Sequence, residues 1–486
     1  MGSVRKSLAL SAVDSYLALV LQIGSTVVLA RILTPEQTGI FAVAAVFAAL
    51  ASNFRDFGVG EFLIQEKELD DAILRAALTV NITVSWSMGV LLFLAAPYVA
   101  DFYRSPGVQQ VMRVQAFNFL LIPFGAVTMA WFRRELNFKP ILLANLAANL
   151  TSFAVVIVLG LQGWGYMALA WSSLAGVVVT VGTATLLRPK GFPRWPGLAG
   201  VGRVFHFGKF ASGIYVFGQA GKGAPEMIIG RAQDMAAVGM FSRAYGLIEI
   251  FNRLVLRALM PVYLPYFARS VRDTGSPLRG LSTAISYLTV VGWPFLLFMG
   301  VAAYPAIRLI YGLQWLEAVP LAQVLCLAGT VEIIYFPAKE AMLAQGRAKE
   351  SNNLQMIIQS LRVLGLLAAV PFGLAGACWG LLAATVGGAL ASHWYLGRVA
   401  AWSVAAAWSA MRPSLWVALA AVGPFFLFTL AVPIGEHNYL GVFGVAAVLC
   451  TGLWVLALRQ TRHPLWTEVL ALSAPLRARL KRRPPL

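Results

Sequence analysis

The stretch ARILTPEQTGIFAVAAVFAALASNFRDFGVGEFLIQ, Ala30 to Gln65, decides the reading of the chain. It leaves one apolar run at Arg31, turns at Thr34-Pro35-Glu36 and enters a second apolar run at Gly39. Part of it recurs as GRAQDMAAVGMFSRAYGL, Gly230 to Leu247, setting Arg31 on Arg231, Gly39 on Gly239 and Phe41 on Phe241 without a gap. A second match, at an offset of 208, sets Ala95, Pro97, Tyr103 and Gln115 on Ala303, Pro305, Tyr311 and Gln323. Two matches in the same order indicate an internal duplication.

The 486 residues are 59% hydrophobic and 12% charged, with mean hydropathy +0.74. A soluble domain keeps roughly 25% charged residues, so this chain cannot cover a water-facing surface. Its apolar runs reach the roughly 20 residues that a helix needs to cross a bilayer, and they are continuous, unlike the short alternating segments of a β-barrel. The expectation is an all-α polytopic membrane protein. Cys326, Cys378 and Cys450 lie inside the expected spans with no metal-ligand spacing, and His206, His393, His437 and His463 form no constellation. There is no GxxxxGK[ST] phosphate loop, and the first apolar run, from Leu8, is too long for a signal-peptide core.

About fourteen spans are expected: 8–32, 37–64, 76–102, 108–132, 141–161, 166–187, 207–229, 236–267, 281–310, 318–343, 354–371, 375–396, 415–432 and 440–458. Short turns at Gln162–Gly165 and Phe372–Gly376 join hairpins at equivalent places in the two halves. Alternate loops hold roughly 26 basic residues against about 4 in the others, Arg31, Arg104, Arg231 and Arg308, which places both termini in the cytoplasm. Each repeat has an even number of spans, so the halves are parallel repeats. The resulting division is a six-helix lobe over 1–190, a linker over 191–206, a second six-helix lobe over 207–400, two additional helices over 401–460 and a basic tail over 461–486. The net charge of +18 follows this topology and is not read as a nucleic-acid surface; the tail is suited to anionic lipid headgroups.

ARILTPEQTGIFA followed by RDFGVGEFLIQ (Arg55–Gln65), together with RRELNFKP (Arg133–Pro140), resembles the polysaccharide transporter group of the multidrug/oligosaccharidyl-lipid/polysaccharide exporter superfamily, which includes the Wzx-type flippases. The resemblance covers most of the first twelve spans. It implies two six-helix lobes around a central cavity, alternating access, and a polyprenyl-pyrophosphate-linked oligosaccharide as cargo in the bacterial cytoplasmic membrane. Glycan polymerase and glycosyltransferases are the expected neighbours.

Ionisable groups inside spans cost roughly 2.5–3.5 kcal/mol each at mid-helix on insertion scales and invite a functional reading. Glu249, Arg253 and Arg257 recur every four residues and form one stripe, with Arg55 in the equivalent helix of the first repeat. Guanidinium forks suit phosphate oxygens; the structural alternative pairs Glu249 with Arg253 and Asp56 with Arg55. Lys222 sits in Gly221–Pro225, which reads as an interrupted helix beside a cavity, with Gln22 as its repeat partner; pairing with Glu226 is the alternative. Arg113 and Arg243 lie in the outer thirds, suited to a departing headgroup or to snorkelling at the interface. Asn81, Asn118, Tyr215 and Gln219 can hydrogen-bond sugar hydroxyls or neighbouring helices.

No enzyme signature, metal site or cofactor emerges. Energy is expected from an H+ or Na+ gradient, with Asp14 or Glu249 titrating. The leading reading is a flippase for lipid-linked repeat units of exopolysaccharide or O-antigen. The alternatives are a lipid II-type flippase, a small-molecule exporter of the same superfamily, and a non-transporting scaffold for glycan assembly. Bases outnumber acids in the spans, which favours anionic cargo.

Overall fold

The computed structural model describes residues 2–468 and 470 apart from 57 and 194, with side chains for residues 16–468 and 470 apart from 56, 57, 194, 208–220, 258 and 261. Every described regular element is helical. In chain order they are α1 (Gly2–Ile32), α2 (Pro35–Asp56), α3 (Val59–Gln65), α4 (Asp71–Tyr103), α5 (Pro106–Leu121), α6 (Pro123–Arg134), α7 (Phe138–Leu161), α8 (Tyr166–Leu186), α9 (Val201–Ala232) and α10 (Met235–Phe251). A π-helical turn (Asn252–Leu256) leads into α11 (Arg257–Thr274), followed by α12 (Leu278–Val301), α13 (Ala303–Ile310), α14 (Ala318–Tyr335), α15 (Ala338–Ala344), α16 (Ala348–Ala369), α17 (Gly373–Ala400), α18 (Val404–Ala431) and α19 (Tyr439–Gln460).

Each of the fourteen expected stretches falls on a helix or on a broken pair of helices. Among the described residues, nine segments are long and apolar enough to cross a membrane, and ten if the bent pair α5–α6 forms one span. One of these segments, Ala348–Ala400, runs for 53 residues and contains the α16–α17 hairpin.

The duplication recurs in backbone detail. Thr34 and Asp234, 200 residues apart, both start a helix by accepting a bond from the third residue on: Gln37 N–H to Thr34 Oγ1 (3.2 Å) and Ala237 N–H to Asp234 Oδ1 (2.7 Å). Arg104 and Gly312, 208 apart, share positive φ (53° and 102°). Leu136 and Gly346, 210 apart, share both positive φ (52° and 75°) and a helix-ending bond pattern. In that pattern Asn137 N–H donates to Phe132 O (2.9 Å), and Arg347 N–H to Met342 O (3.0 Å).

Two contact units divide the chain, 1–242 with 310–314, and 243–309 with 315–486. In the first, α2 packs on α4, α5 and α9, and α7 on α1 and α8. Gly39 and Gly239 account for one feature of this packing. A β-carbon on Gly39 would collide with the Met235 carbonyl, and one on Gly239 with the Pro35 carbonyl. The first turns of α2 and α10 therefore meet backbone against backbone through the repeat-related glycines, as small residues permit. Nearby, Gln314 Nε2 donates to the Leu33 carbonyl (3.0 Å) and to that of Ala30, and Tyr103 donates to Met227 O (3.1 Å). The linker is anchored too: Thr79 Oγ1 donates to Gly197 O (2.7 Å) and accepts from Gly197 N–H (3.0 Å).

In the second unit α12 is central, packing on α14 and on α18 of the additional C-terminal pair. Trp293 Nε1 donates to Thr330 O (2.9 Å), and Trp454 Nε1 to Val290 O (2.8 Å). Just past α19, His463 is 1% exposed. Leu465 N–H donates to its Nδ1 (3.2 Å), so the Nε2 proton points at Ser286 Oγ (3.0 Å), beside Ser414 Oγ (3.4 Å). Ser414 donates to Ser286 O (3.1 Å) and accepts from Thr289 (2.9 Å). This buried hydroxyl–imidazole group joins α12, α18 and the segment after α19 with a neutral ring, and burial lowers the His463 pKa to about 4.

Two outcomes follow. Gly39→Ala or Gly239→Ala forces backbone apart and costs about 1–3 kcal/mol, as overpacking does, visible as a lower unfolding midpoint of the purified protein; unchanged midpoints refute the contact. Between pH 6.5 and 4 the unfolded chain binds the His463 proton that the folded chain refuses. The stability His463 contributes is thus complete above pH 6.5 and falls with pH by on the order of 3 kcal/mol. Unfolding midpoints measured between pH 5 and 7 drop on acidification in the wild type and drop less in His463→Gln.

Candidate functional site

The basic stripe expected on α10 is present, and the π-turn shapes it. In a regular α-helix a residue eight positions on is rotated about 80° from the first. The wide turn Asn252–Leu256, closed by Arg257 N–H to Asn252 O, takes up most of that rotation. Glu249 therefore accepts from Asn252 Nδ2 (3.3 Å), Arg253 Nε (3.0 Å) and Arg257 Nη2 (3.4 Å). One carboxylate is shared by two guanidiniums, so the group keeps a net positive charge. Arg253 is partly buried, whereas the Arg257 side chain is 69% exposed. By helix rise, Arg253 lies about 27 Å along the helix from Met235.

In the first unit Arg55, at the end of α2, is half-buried and stands over the Phe119 ring at 5.9 Å. It lines a mainly polar cavity of about 310 Å³ with Glu61 on α3, Asn81 on α4 and Arg133 on α6. Two helix breaks create the space. Gly58, at φ 63°, separates α2 from α3, and Ile122-Pro123 bends α5 from α6 by 55°. Pro123 has no N–H to continue the ladder.

The two arginines of the RRELNFKP motif divide the work. Arg134 donates to the carbonyls of Leu63 (2.7 Å), Lys67 (3.2 Å) and Glu66, tying α6 to the end of α3. Arg133 is exposed on the cavity wall. Sequence reasoning counted Arg133 as a loop charge; the signal available was its place beside the end of a Pro-broken span, and α6 runs on through it to Arg134.

Other candidates lie apart from these groups. Arg113 is exposed and stands over Phe93 (5.2 Å), and Arg243 stands over Trp315 (5.0 Å), which is fully buried. Gln22 is exposed, its carbonyl accepting from Thr26 (2.9 Å). Asn118 donates to Ser173 (3.3 Å), a helix–helix contact between α5 and α8. The side chains of Asp14, Asp56, Tyr215 and Gln219 fall outside the described residues.

The interruption expected around Lys222 is corrected: α9 runs unbroken from Val201 to Ala232 with Pro225 inside it. Gly223 serves close packing instead, since a β-carbon there would collide with Val46 of α2. Lys222 is exposed on that continuous helix.

A family model described as polysaccharide biosynthesis protein matches residues 28–320. The chain is similar to the teichuronic acid biosynthesis protein TuaB of Bacillus subtilis, 25% identical over 92% of this chain and 94% of the relative. It is also similar to the lipopolysaccharide biosynthesis protein WzxC of Escherichia coli, 25% identical over 69% of each. Among solved structures it shares the fold of the lipid II flippase MurJ in an inward closed conformation. That match has a TM-score of 0.73 at 12% identity and covers 92% of this chain and 98% of the other. An inward-facing multidrug MATE transporter matches with a TM-score of 0.58 at 13% identity over 79% and 94%. With its apolar helices and these relatives, the chain is a multi-pass membrane protein of the polysaccharide biosynthesis family, of the Wzx-type polysaccharide transporter kind.

Proposed function

We propose that this protein flips polyprenyl-diphosphate-linked oligosaccharide repeat units across the bacterial cytoplasmic membrane by alternating access. The loading side is the one on which the basic loops and both termini lie. The observation that carries the reading is the Glu249–Arg253–Arg257 group, in which two guanidiniums share one acid. A diphosphate offers them more oxygens and more charge than that single carboxylate, and charge-assisted bidentate bonds to phosphate are the strong ones. Arg55 is the counterpart in the first repeat. The names of the relatives TuaB, WzxC and ExoT, all concerned with polysaccharides, support the same cargo class. A cation exporter would call for surplus acid where this chain has surplus base. The prenyl chain stays in lipid, and an H+ or Na+ gradient supplies the drive.

The test is translocation of a fluorescent polyprenyl-diphosphate oligosaccharide in proteoliposomes. Hydrogen bonds to charged groups contribute about 1.5–3 kcal/mol each, so Arg253→Ala and Arg257→Ala each slow transport by roughly tenfold or more, and the double variant further. Wild-type rates in both variants, or no translocation by the intact protein, sink the proposal.

A further inference from the structure

The cavity of the first unit contains more chemistry than a phosphate needs. Arg133 and Glu61 both line it, and neither side chain makes a hydrogen bond or ion pair among the described residues. Asn81, only 7% exposed, is held by Ser85, whose hydroxyl donates to its Oδ1 (3.1 Å). The Asn81 amide nitrogen is left as a donor for the cavity, with no partner among the described residues. A base, an acid and an amide facing one space without satisfying one another suit a ligand that carries both an anion and hydroxyls.

We propose that this cavity is a sugar-phosphate subsite in which Arg133 binds the phosphate while Glu61 and Asn81 bind the hydroxyls of the first sugar. This rests on the flippase reading and deepens it by naming residues that read the sugar. Carboxylates accept from sugar hydroxyls in charge-assisted bonds, and a buried amide rejects a ligand that leaves it unpaired. The volume of about 310 Å³ is at the low end of ligand sites, which run roughly from 300 to 1,000 Å³. It fits one sugar phosphate and excludes a whole repeat unit. Specificity would therefore be read at the sugar next to the diphosphate, with the distal sugars left free to vary.

The structure separates ligand roles from folding roles. Arg134 ties down three carbonyls, while its neighbour Arg133 ties down nothing. Arg133→Ala and Glu61→Ala should then fold, and Arg134→Ala is the variant that lowers stability.

The experiment is thermal unfolding of the full chain in detergent with glucose 1-phosphate, inorganic phosphate or glucose. Glucose 1-phosphate is expected to raise the wild-type midpoint more than inorganic phosphate does. Arg133→Ala loses the response to both phosphates, and Glu61→Ala keeps the phosphate response but loses the increment from the sugar. A wild type that responds to neither phosphate, or an Arg133→Ala variant that responds like wild type, overturns the proposal. So does protection by phosphatidylglycerol that equals that of glucose 1-phosphate and is indifferent to Glu61→Ala, which assigns the cavity to a phospholipid headgroup. The two readings fail separately. Sugar-phosphate binding without translocation of the prenyl-linked glycan leaves the subsite standing and removes the flippase. Translocation with no binding, or with wild-type rates and substrate preference in Glu61→Ala, removes the subsite alone.

Discussion

In hydrocarbon every backbone N–H and C=O must find a partner within the protein, and that constraint governs where this chain can do anything other than cross. Among the described residues it departs from unbroken α-helix inside its expected spans at Gly58, at Ile122-Pro123, at the π-turn 252–256, at Ala302, at Phe336-Pro337 and at the turn 370–372. Four of these breaks fall in corresponding spans of the two repeats, Gly58 with the π-turn and Ile122-Pro123 with Phe336-Pro337. Freed backbone groups find partners nearby. Arg134 takes up carbonyls at the end of α3, and Arg257 N–H reaches back five residues to Asn252. Irregular backbone and unusual charge then coincide: Arg55, Glu61 and Arg133 lie around two of the breaks, and Arg253 and Arg257 around the third.

What was legible in the sequence was local. An apolar run and a turn are each written in a few consecutive residues, and so the span positions and the turn at Thr34-Pro35-Glu36 could be read directly. The repeat was legible for the same reason, because Tyr103 and Tyr311 or Gly39 and Gly239 keep both residue type and spacing. Less could be seen where geometry depends on distant chain. The π-turn has no compositional mark; it shifts register by one residue, and the backbone bond from Arg257 N–H to Asn252 O reveals it. Arg133 looked like topology because the residues that line the cavity with it, Asn81 and Glu61, lie 52 and 72 residues away.

Glycine shows the limit most clearly. Gly39 and Gly223 are both helical glycines in apolar surroundings, and both exist to let another helix come close, Gly39 to the Met235 backbone and Gly223 to Val46. A sequence reader sees a weak helix former and infers a break, as at Gly221–Pro225. The propensity cost of about 1 kcal/mol for glycine is real, but it is outweighed when the missing side chain is what allows two helices to pack. Propensity describes an isolated helix, and α9 is not isolated: it packs along both α2 and α4.

On the proposed reading, the half-compensated charge of the Glu249 group meets a demand of transport. Two bare arginines in a span would carry the insertion cost twice over. A fully matched set would leave no field for an anion to enter. One carboxylate between two guanidiniums avoids both extremes. An arriving diphosphate then competes with the Glu249 carboxylate for the same guanidiniums, exchanging one set of acceptors for a better one. The net gain is then the difference between two favourable interactions, small compared with either, and a carrier needs that smallness. A site that binds its cargo with the full strength of an unopposed cation pair could load it on one side of the membrane and would fail to release it on the other.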